Sequence, residues 1–275
     1  MGENMMSSHL DTWNNYARFS EARARLVIHL LEKYLSLDAA RILDIGCGGG
    51  STAQLLADRG ARVQAIDISN NVKSSPVGWH FSLMAGENPG FKNGCFDAVI
   101  LQDALEHCVN PAAVLAEAGR ILKNDGVLFM NTPNRLSPIN FISDPHWHLP
   151  VVSLLPRRSV ILFVRNIFLK DRRERRDWAA LLSLFRLKKL FSKSGFEMSF
   201  ENRTVAGYLF REPDAVVCSR LHLKMVTIFK KLRFDKLIPA LVNDRHGIFN
   251  YLVNPTWYII GQKRNEKVDN HETTC

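Results

Sequence analysis

Two acidic residues bracket a glycine cluster near the start of this 275-residue chain. Asp44 comes two residues before Gly46, the first glycine of the cluster, and Asp67 lies further on. Glycines let the backbone approach a ligand closely, because they carry no Cβ atom. A carboxylate beside such a turn repels a pyrophosphate and attracts an amino group, and an acid at the next strand end can accept hydrogen bonds from ribose hydroxyls. These residue types favour a ligand with an amino group at one end and a nucleoside at the other.

Two strands are needed to bring these acids together. The apolar residues Ile42, Leu43 and Ile45 predict a first buried strand, and residues 61–66 predict a second one that ends at Asp67. Between them, residues 52–59 predict a crossover helix, with Gly60 at its end. Because ligands bind at the carboxyl ends of the strands in a parallel α/β sheet, both acids should face one cleft.

The alternation of strands and helices continues along the chain. A weak third strand is expected near Trp79–Leu83, and the turn-forming residues before it leave its crossover helix short or missing. The later elements are a fourth strand at 96–101, a helix from Asn110-Pro111, a fifth strand at 127–130 that follows a turn at Asn124-Asp125-Gly126, a helix at 178–194, a sixth strand at 196–205, a basic amphipathic helix at 216–242 and a closing strand at 256–260.

Three segments fall outside this alternation. Residues 1–37 are expected to form a helical cap, with helix from residue 9 and with Trp13, Tyr16 and Phe19 packed inward. Residues 136–177, with an apolar helix at 159–169, are expected to form a lid over the ligand edge of the sheet. We assign residues 1–264 to one domain, with a basic helical segment at 211–250 and a disordered tail at 265–275.

Cysteine usage and charge limit the classes of function. The five cysteines form no CxxC pair, which argues against a disulfide scaffold and a zinc site and favours a reducing compartment. Neither a signal peptide nor a run of about 18 apolar residues is visible, so we expect a cytoplasmic protein. Arg157–Lys193 holds 12 Lys/Arg against 3 acids and Arg220–Lys236 holds 6 against 1. These segments could form solvated helix faces or contact an anionic substrate or membrane surface, which would place the chain at the inner membrane face.

The spacing of the glycines separates two classes of nucleotide. A dinucleotide loop reads G-x-G-x-x-G, whereas here Gly50 stands one place early and Asp44 precedes the turn. S-adenosylmethionine (SAM) carries both an α-amino group and an adenosine ribose, and it meets the requirements of Asp44 and Asp67.

Four motifs in this order resemble the SAM-dependent class I methyltransferases. They are residues 42–50 with Asp67, Phe96-Asp97, Leu105-Glu106-His107, and Thr132-Pro133-Asn134-Arg135. The closest resemblance is to the subgroup of ubiquinone-biosynthesis O-methyltransferases and related small-molecule enzymes. It implies an α/β fold: a Rossmann-like, seven-stranded sheet whose last strand is antiparallel, with a helical lid insertion.

The resemblance also implies the residues that bind the cofactor SAM. Asp44, Gly46, Cys47, Gly48 and Gly50 should hold the methionine end. Asp67 should bind the ribose, with Ile68 against the adenine. Gly86 and Glu87 should lie near the adenine, although Ala85 stands where an acid would contact its amino group. Gln102 should line the sulfonium region. Independently of the resemblance, Asn134 and Arg135 end the fifth strand at the ligand edge of the sheet and are the candidate substrate contacts, and Arg135 could instead form a salt bridge to the lid.

A hydroxyl acceptor would benefit from a base. His107, after the fourth strand, and His146 and His148, in the expected lid, are the candidate catalytic residues. His107 could instead be a structural histidine that caps the following helix, and His146 and His148 could instead contact the substrate. A metal site made of Asp144 and these last two histidines would have too few ligands, so no metal is expected.

The acceptor is expected to be a small molecule or a lipid- or glycan-linked group, methylated at oxygen. Nucleic-acid amino-methyltransferases of this fold carry an Asn/Asp-Pro-Pro-aromatic run after strand four, and residues 102–105 read Gln-Asp-Ala-Leu instead, so no nucleic-acid partner is expected. Two alternatives stay open: a non-catalytic subunit of this fold that serves a partner protein, and a nicotinamide-dependent oxidoreductase, which the glycine spacing disfavours.

Overall fold

Seven strands form a single sheet in the computed structural model, which describes residues 19–72, 76–142, 144–146, 149–163, 179–217, 220–244 and 247–264. The strands are β1 (Arg41–Ile45), β2 (Arg62–Asp67), β3 (Trp79–Leu83), β4 (Phe96–Gln102), β5 (Leu122–Pro133), β6 (Phe196–Phe200) and β7 (Thr256–Lys263). Their order is β3-β2-β1-β4-β5-β7-β6. The first five strands run parallel, and β7 pairs antiparallel with both β5 and β6. The predicted seven-stranded sheet with an antiparallel last strand is confirmed.

Helices cover both faces of this sheet. They are α1 (19–31), α2 (Ser51–Ala57), α3 (Pro111–Ile121), α4 (Pro138–Ile142), α5 (Arg157–Phe163), α6 (Leu184–Lys193), α7 (Asn202–Arg211), α8 (Arg220–Lys231) and α9 (Phe234–Leu241). Short 3-10 turns at Val152–Leu154 and Pro213–Ala215 and a π turn at Phe249–Val253 connect them. Among the described residues, no helix combines the length and apolar character needed to cross a bilayer.

The core lies on the two sides of the sheet because strand side chains alternate in direction. Ile42 packs on one side with Leu30 and Leu31 of α1, while its neighbour Leu43 packs on the other side with Val114 of α3. This alternation holds β1, and with it the cleft at its carboxyl end, between two apolar layers.

The start of α3 follows its sequence signal closely. Pro111 occupies the first turn, where its missing N–H is not needed, and the Asn110 side chain accepts a hydrogen bond from the backbone N–H of Ala113 at 3.2 Å. Between β2 and β3, no helix occurs in residues 68–72 and 76–78, in line with the expected shortened crossover.

Several predicted boundaries were wrong. The sixth strand ends at Phe200 instead of residue 205, because the carbonyl of Glu201 accepts a hydrogen bond of 3.1 Å from the N–H of Val205 and α7 begins at Asn202. Helix α6 begins at Leu184, since Leu182 is held by a bridge to Asn134 and Ser183 caps the helix.

Two more predicted elements differ. The single helix expected at 216–242 is two helices, because Arg233 adopts a left-handed conformation with φ 63° between α8 and α9. Strand β5 begins at Leu122, so the expected turn at 124–126 lies inside the strand, beside a register shift opposite β4. The predicted residues Trp13, Tyr16 and His148, most of the helix at 159–169, and the tail at 265–275 lie outside the described residues.

Candidate functional site

The glycine loop turns the chain from β1 into α2. Gly46, Gly48 and Gly50 all have positive φ, at 76°, 53° and 82°, where only glycine is relaxed. A Cβ on Gly50 would lie 2.6 Å from the ring of Trp79, so the loop packs against β3 at this point. A Cβ on Gly48 or Gly49 would meet no atom within 4 Å, which leaves the outer side of the loop open to a ligand.

A cleft opens above this loop at the carboxyl ends of β1 and β4. Its lining consists of Ser20, Arg23, Asp44, Gly46, Cys47, Gly48, Gly49, Ser51, Thr52 and Gln102. Five of the residues predicted to bind the methionine end or the sulfonium therefore share one cleft: Asp44, Gly46, Cys47, Gly48 and Gln102. Gln102 is fixed there, because its Oε1 accepts a hydrogen bond of 2.8 Å from the hydroxyl of Thr52.

Asp44 lies at the floor of the cleft and is almost fully buried. Its Oδ2 atom has no hydrogen-bond partner among the described residues. Burial, together with the negative charge of Asp67, raises the pKa of the Asp44 carboxyl to about 7. Burial of a carboxylate oxygen without a partner costs free energy. A bound ammonium group would offset this cost by donating a hydrogen bond to the carboxylate. This observation fits the amino group of SAM.

Asp67 lies at the end of β2 and is held by backbone donors. Its Oδ2 accepts a hydrogen bond of 3.0 Å from the N–H of Gly48, and its Oδ1 accepts one of 2.8 Å from the N–H of Ser69. A carboxylate offers about four lone-pair positions, so both oxygens keep acceptor capacity for ribose hydroxyls. The glycine loop and the predicted ribose acid are thus directly joined.

The residues predicted around the adenine lie beyond the cleft lining. Ile68 is 68% exposed, so its side chain is accessible to a ligand. Gly86 packs against Ile45, and Glu87 accepts hydrogen bonds from the backbone N–H groups of Val109 and Asn110. Glu87 thereby fixes the start of α3, and its contact with adenine stays a prediction.

Two residues of the cleft lining were not predicted from the sequence. Ser20 and Arg23 come from α1, and among the described residues Arg23 is the only basic one of the cleft lining. The guanidinium of Arg23 pairs with Asp103, in the loop after β4. The sequence predicted the helix but not which of its faces meets the loop, and that contact depends on tertiary packing.

A second polar cluster lies after β4. Glu106, His107 and His146 each offer a ligand atom, and these atoms lie within 4.8 Å of one another. The rings of His107 and His146 are 4.9 Å apart and nearly perpendicular. Burial raises the pKa of the Glu106 carboxyl to about 7. The structure therefore brings together two of the three predicted catalytic histidines, and a carboxylate that the sequence analysis did not assign to this cluster.

The two residues predicted to contact the substrate have different environments. Asn134 is fully buried, and its amide donates to the carbonyls of Tyr251 and Asn254 while its Oδ1 accepts from Leu136. The amide of Asn134 is thus committed to the backbone on both sides, and its substrate contact stays a prediction. Arg135 is half-buried, and its guanidinium donates to the carbonyl of Leu154. Its substrate contact stays a prediction.

Comparison with known proteins gives a consistent set of relatives. A family model described as "Methyltransferase domain" matches residues 16–199. Proteins named ubiquinone biosynthesis O-methyltransferase are similar in sequence. The one from Xanthomonas oryzae is 35% identical over 132 residues, covering 45% of this chain and 55% of that protein. The one from Dechloromonas aromatica is 35% identical over 121 residues, covering 40% of this chain and 51% of that protein.

Solved structures resemble the fold as well. A SAM-dependent methyltransferase from Mesorhizobium loti superposes with a TM-score of 0.54 at 13% identity, covering 86% of this chain and 96% of that one. At this identity the likeness concerns the fold. In the sequence comparisons, the chain spans about half the length of the curated relatives it matches.

Proposed function

The chain belongs to the SAM-dependent class I methyltransferases, and on that premise we propose that it transfers a methyl group to a hydroxyl oxygen of a small-molecule or lipid- or glycan-linked acceptor. The observation that carries the proposal is the buried Asp44 carboxylate, whose free oxygen points to an ammonium ligand within a glycine-lined cleft. The names of the similar O-methyltransferases support oxygen as the methylated atom.

We assign the two acids at the ends of β1 and β2 to opposite ends of the cofactor. Asp44 would accept a hydrogen bond from the amino group, and Asp67 would accept hydrogen bonds from the ribose hydroxyls. Gln102 ends β4 and lines the cleft, and the loop that carries Glu106 and His107 follows it in the chain. We therefore expect the methyl carbon of SAM to lie near the end of β4. SAM supplies an electrophilic methyl group when it is bound. The chain contributes alignment and a place for the acceptor.

The acceptor hydroxyl must lose its proton as its oxygen forms a bond to the methyl carbon and the carbon–sulfur bond breaks. We place proton removal at the cluster of Glu106, His107 and His146, whose ligand atoms lie within 4.8 Å of one another. Glu106 and His107 follow Gln102 by four and five residues. A positioned acid–base group typically contributes about 10²–10⁴-fold to the rate. His148 lies outside the described residues and stays a prediction.

A labelled-methyl assay tests the proposal. The protein is incubated with SAM that carries a labelled methyl group and with separate quinol, phenol, glycan and lipid fractions, and the label is followed into an alkali-stable ether. Transfer to a hydroxylated fraction is the expected result. Asp67→Ala should bind SAM at least roughly tenfold more weakly in calorimetry, because it loses the ribose acceptor and the bond to the Gly48 N–H.

Three results would each count against a part of the proposal. Label found only on nitrogen or carbon would exclude O-methylation. Failure of the protein to bind SAM at millimolar concentration would favour the alternative of a non-catalytic subunit. Unchanged SAM affinity in Asp67→Ala would show that the ribose assignment is wrong.

We further propose that α8 and α9 contact an anionic membrane surface, where a lipid-linked acceptor would be found. Met225, Ile228 and Leu232 follow one another at helical spacing and are 42%, 53% and 61% exposed. On α9, Leu237 and Leu241 are also exposed.

Basic side chains accompany this apolar face. The exposed ones in α8, α9 and the link between them include Lys224, Lys231, Arg233 and Lys236. A face of this composition suits the interface of an anionic bilayer. Residues 164–178, which hold six of the twelve basic residues of the segment at 157–193 that was expected to share this role, lie outside the described residues.

Vesicle flotation tests the membrane contact. The protein should float with vesicles that contain phosphatidylserine and remain behind with neutral vesicles. Lys224→Glu with Lys231→Glu should reduce flotation, whereas Lys92→Glu, an exposed lysine outside these helices, should not. Equal binding to neutral and anionic vesicles would refute the electrostatic contact.

A further inference from the structure

We propose that Glu106, His107 and His146 form a binding site for a divalent transition-metal ion, with Zn²⁺ as the best-suited ion. No metal is expected from the sequence, because His146, His148 and Asp144 alone offer too few ligands and the loop after β4 is not known to lie beside them. In the proposed methyl transfer, the bound metal would help the acceptor hydroxyl to lose its proton. This catalytic role rests on the proposed function. Metal binding itself can be tested without any turnover.

The ligand atoms are already close to one another. One donor atom from each of the three residues lies within 4.8 Å of the other two, and the Nε2 atom of His146 is 3.9 Å from the Oε1 atom of Glu106. Zinc holds histidine nitrogens and carboxylate oxygens at about 2.0–2.2 Å, so binding would draw the three donors somewhat closer together. The residues come from two segments, the loop after β4 and the segment after α4.

The carboxylate of Glu106 supplies an independent indication of a ligand. Its side chain is fully buried, and its Oε1 atom has no hydrogen-bond partner among the described residues. Its other oxygen accepts a hydrogen bond of 2.9 Å from the hydroxyl of Thr132 on β5. One oxygen is thus held in place while the other faces the imidazole of His146 without a hydrogen bond. Burial of an acceptor without a hydrogen bond costs free energy, and a bound cation would remove this cost.

The surroundings hold the two donor segments in position. The backbone carbonyl of Glu106 accepts a hydrogen bond of 2.9 Å from the N–H of Ala180. The backbone N–H of His146 donates to the carboxylate of Asp144 at 2.8 Å, and that carboxylate also lies 3.9 Å from the Nδ1 atom of His146. A carboxylate beside a ligating imidazole is a common outer partner, because it orients the ring and raises its basicity.

The donor set selects the class of metal. Two imidazoles and one carboxylate suit zinc and other first-row transition ions, whereas magnesium and calcium prefer oxygen ligands. Three protein donors on zinc leave a fourth position for a water molecule or a substrate oxygen. A hydroxyl group bound there would lose its proton more readily, which is the requirement of O-methylation at neutral pH.

Zinc content and spectroscopy test the site. The full chain is stripped with a chelator, dialysed against zinc in the presence of a weak competing chelator, and analysed for bound metal. The wild-type protein should retain one more equivalent of zinc than a variant that combines Glu106→Gln with His146→Ala. Each single change should weaken zinc binding by roughly tenfold or more. Cobalt substitution should give visible absorption bands that change in His107→Ala.

Matched controls separate the site from incidental binding. His80 is an exposed histidine on β3, so His80→Ala should leave the zinc content unchanged. Glu106→Gln keeps the size of the side chain and an acceptor for Thr132, and its thermal unfolding shows whether the fold is intact. Equal zinc content in wild type and double variant would overturn the proposal. Binding of Mg²⁺ in preference to Zn²⁺ would overturn the assignment of the metal class.

SAM titration separates this proposal from the proposed function. A chain that binds SAM and transfers methyl groups but retains no specific zinc would refute the metal site and leave the function intact. A chain that retains one zinc at these residues but binds no SAM would support the metal site and refute the function.

Discussion

The guanidinium of Arg23, on α1, forms an ion pair with the carboxylate of Asp103, in the loop after β4. The Arg23 side chain is only 9% exposed, and it lines the same cleft as Asp44. Asp103 has a positive φ of 48° and also accepts a hydrogen bond from the amide of Asn131 on β5. This pair therefore joins the N-terminal helix to the ligand edge of the sheet and places a positive charge in the cleft.

We propose that the guanidinium of Arg23 also binds the carboxylate of the methionine end of SAM. We therefore expect Arg23→Met to weaken SAM binding by roughly 10–100-fold, because that buried charge-assisted bond would be lost. Calorimetry with SAM measures the change. Binding of 5′-methylthioadenosine, which lacks the amino-acid portion, should change little in the same variant. An equal loss for both ligands would place Arg23 outside the carboxylate site.

We expect Asp44→Asn to have opposite effects on stability and on cofactor binding. The pKa of Asp44 is raised to about 7 in the fold, mainly by burial, so its stabilising contribution is complete at low pH and is lost as the pH rises through about 7. The variant without cofactor should therefore be more stable than wild type at pH 8, with a smaller difference at pH 5, in urea unfolding.

The same substitution should weaken SAM binding by roughly 10–100-fold at pH 8, since the ammonium group loses its charged partner. Wild-type affinity should increase as the pH rises from 6 to 8, while the affinity of the variant should lack this increase. A wild-type affinity that does not vary over this range would contradict the assignment of Asp44 as the amino-group partner.

We expect Gly50→Ala to destabilise the fold by about 1–3 kcal/mol, because the new Cβ would overlap the Trp79 ring and the residue would keep a positive φ of 82°. Urea unfolding gives the free energy of unfolding for wild type and variant. Gly49→Ala provides the matched control, as no atom lies within 4 Å of its Cβ position. Equal effects of both changes would mean that the loop does not pack on β3 in solution.

We expect Glu201→Gln to destabilise the fold by about 1–3 kcal/mol at pH 7. The carboxylate of Glu201 accepts hydrogen bonds from Lys33, Tyr34 and Thr204, and these bonds outweigh burial and lower its pKa. A lowered pKa stabilises the fold above the unfolded-state pKa, and that contribution is lost as the pH falls. The difference between wild type and variant should therefore narrow in acid. Glu197→Gln, on the exposed side of β6, should have little effect at either pH.

Strand ends and helix caps could be predicted from sequence where the signal is local. The apolar run before Asp44 and the Asn110-Pro111 pair each specify their element through nearby residues. The end of β6 could not be predicted in this way, because it depends on a distant residue. The side chain of Asn202, the first residue of α7, accepts a hydrogen bond from the N–H of Tyr258, 56 residues later in the chain. The break at Arg233 likewise has no glycine or proline to mark it.

The same distinction applies to the cleft. Asp44 and Asp67 could be predicted because each follows an apolar strand, and parallel strands bring their ends together. Arg23 could not, since its role depends on how α1 packs against a loop 80 residues away. His146 was a candidate in the sequence and Glu106 was not, and only the tertiary fold shows that they meet.

Strand β7 lies between β5 and β6 although it follows both of them in the chain. During synthesis on the ribosome, β6 therefore has no neighbour to pair with until residue 263 has left the exit tunnel. Until then the edges of β5 and β6 are exposed, and exposed edges favour aggregation. A nascent chain of this protein should depend on chaperones longest at its last strand.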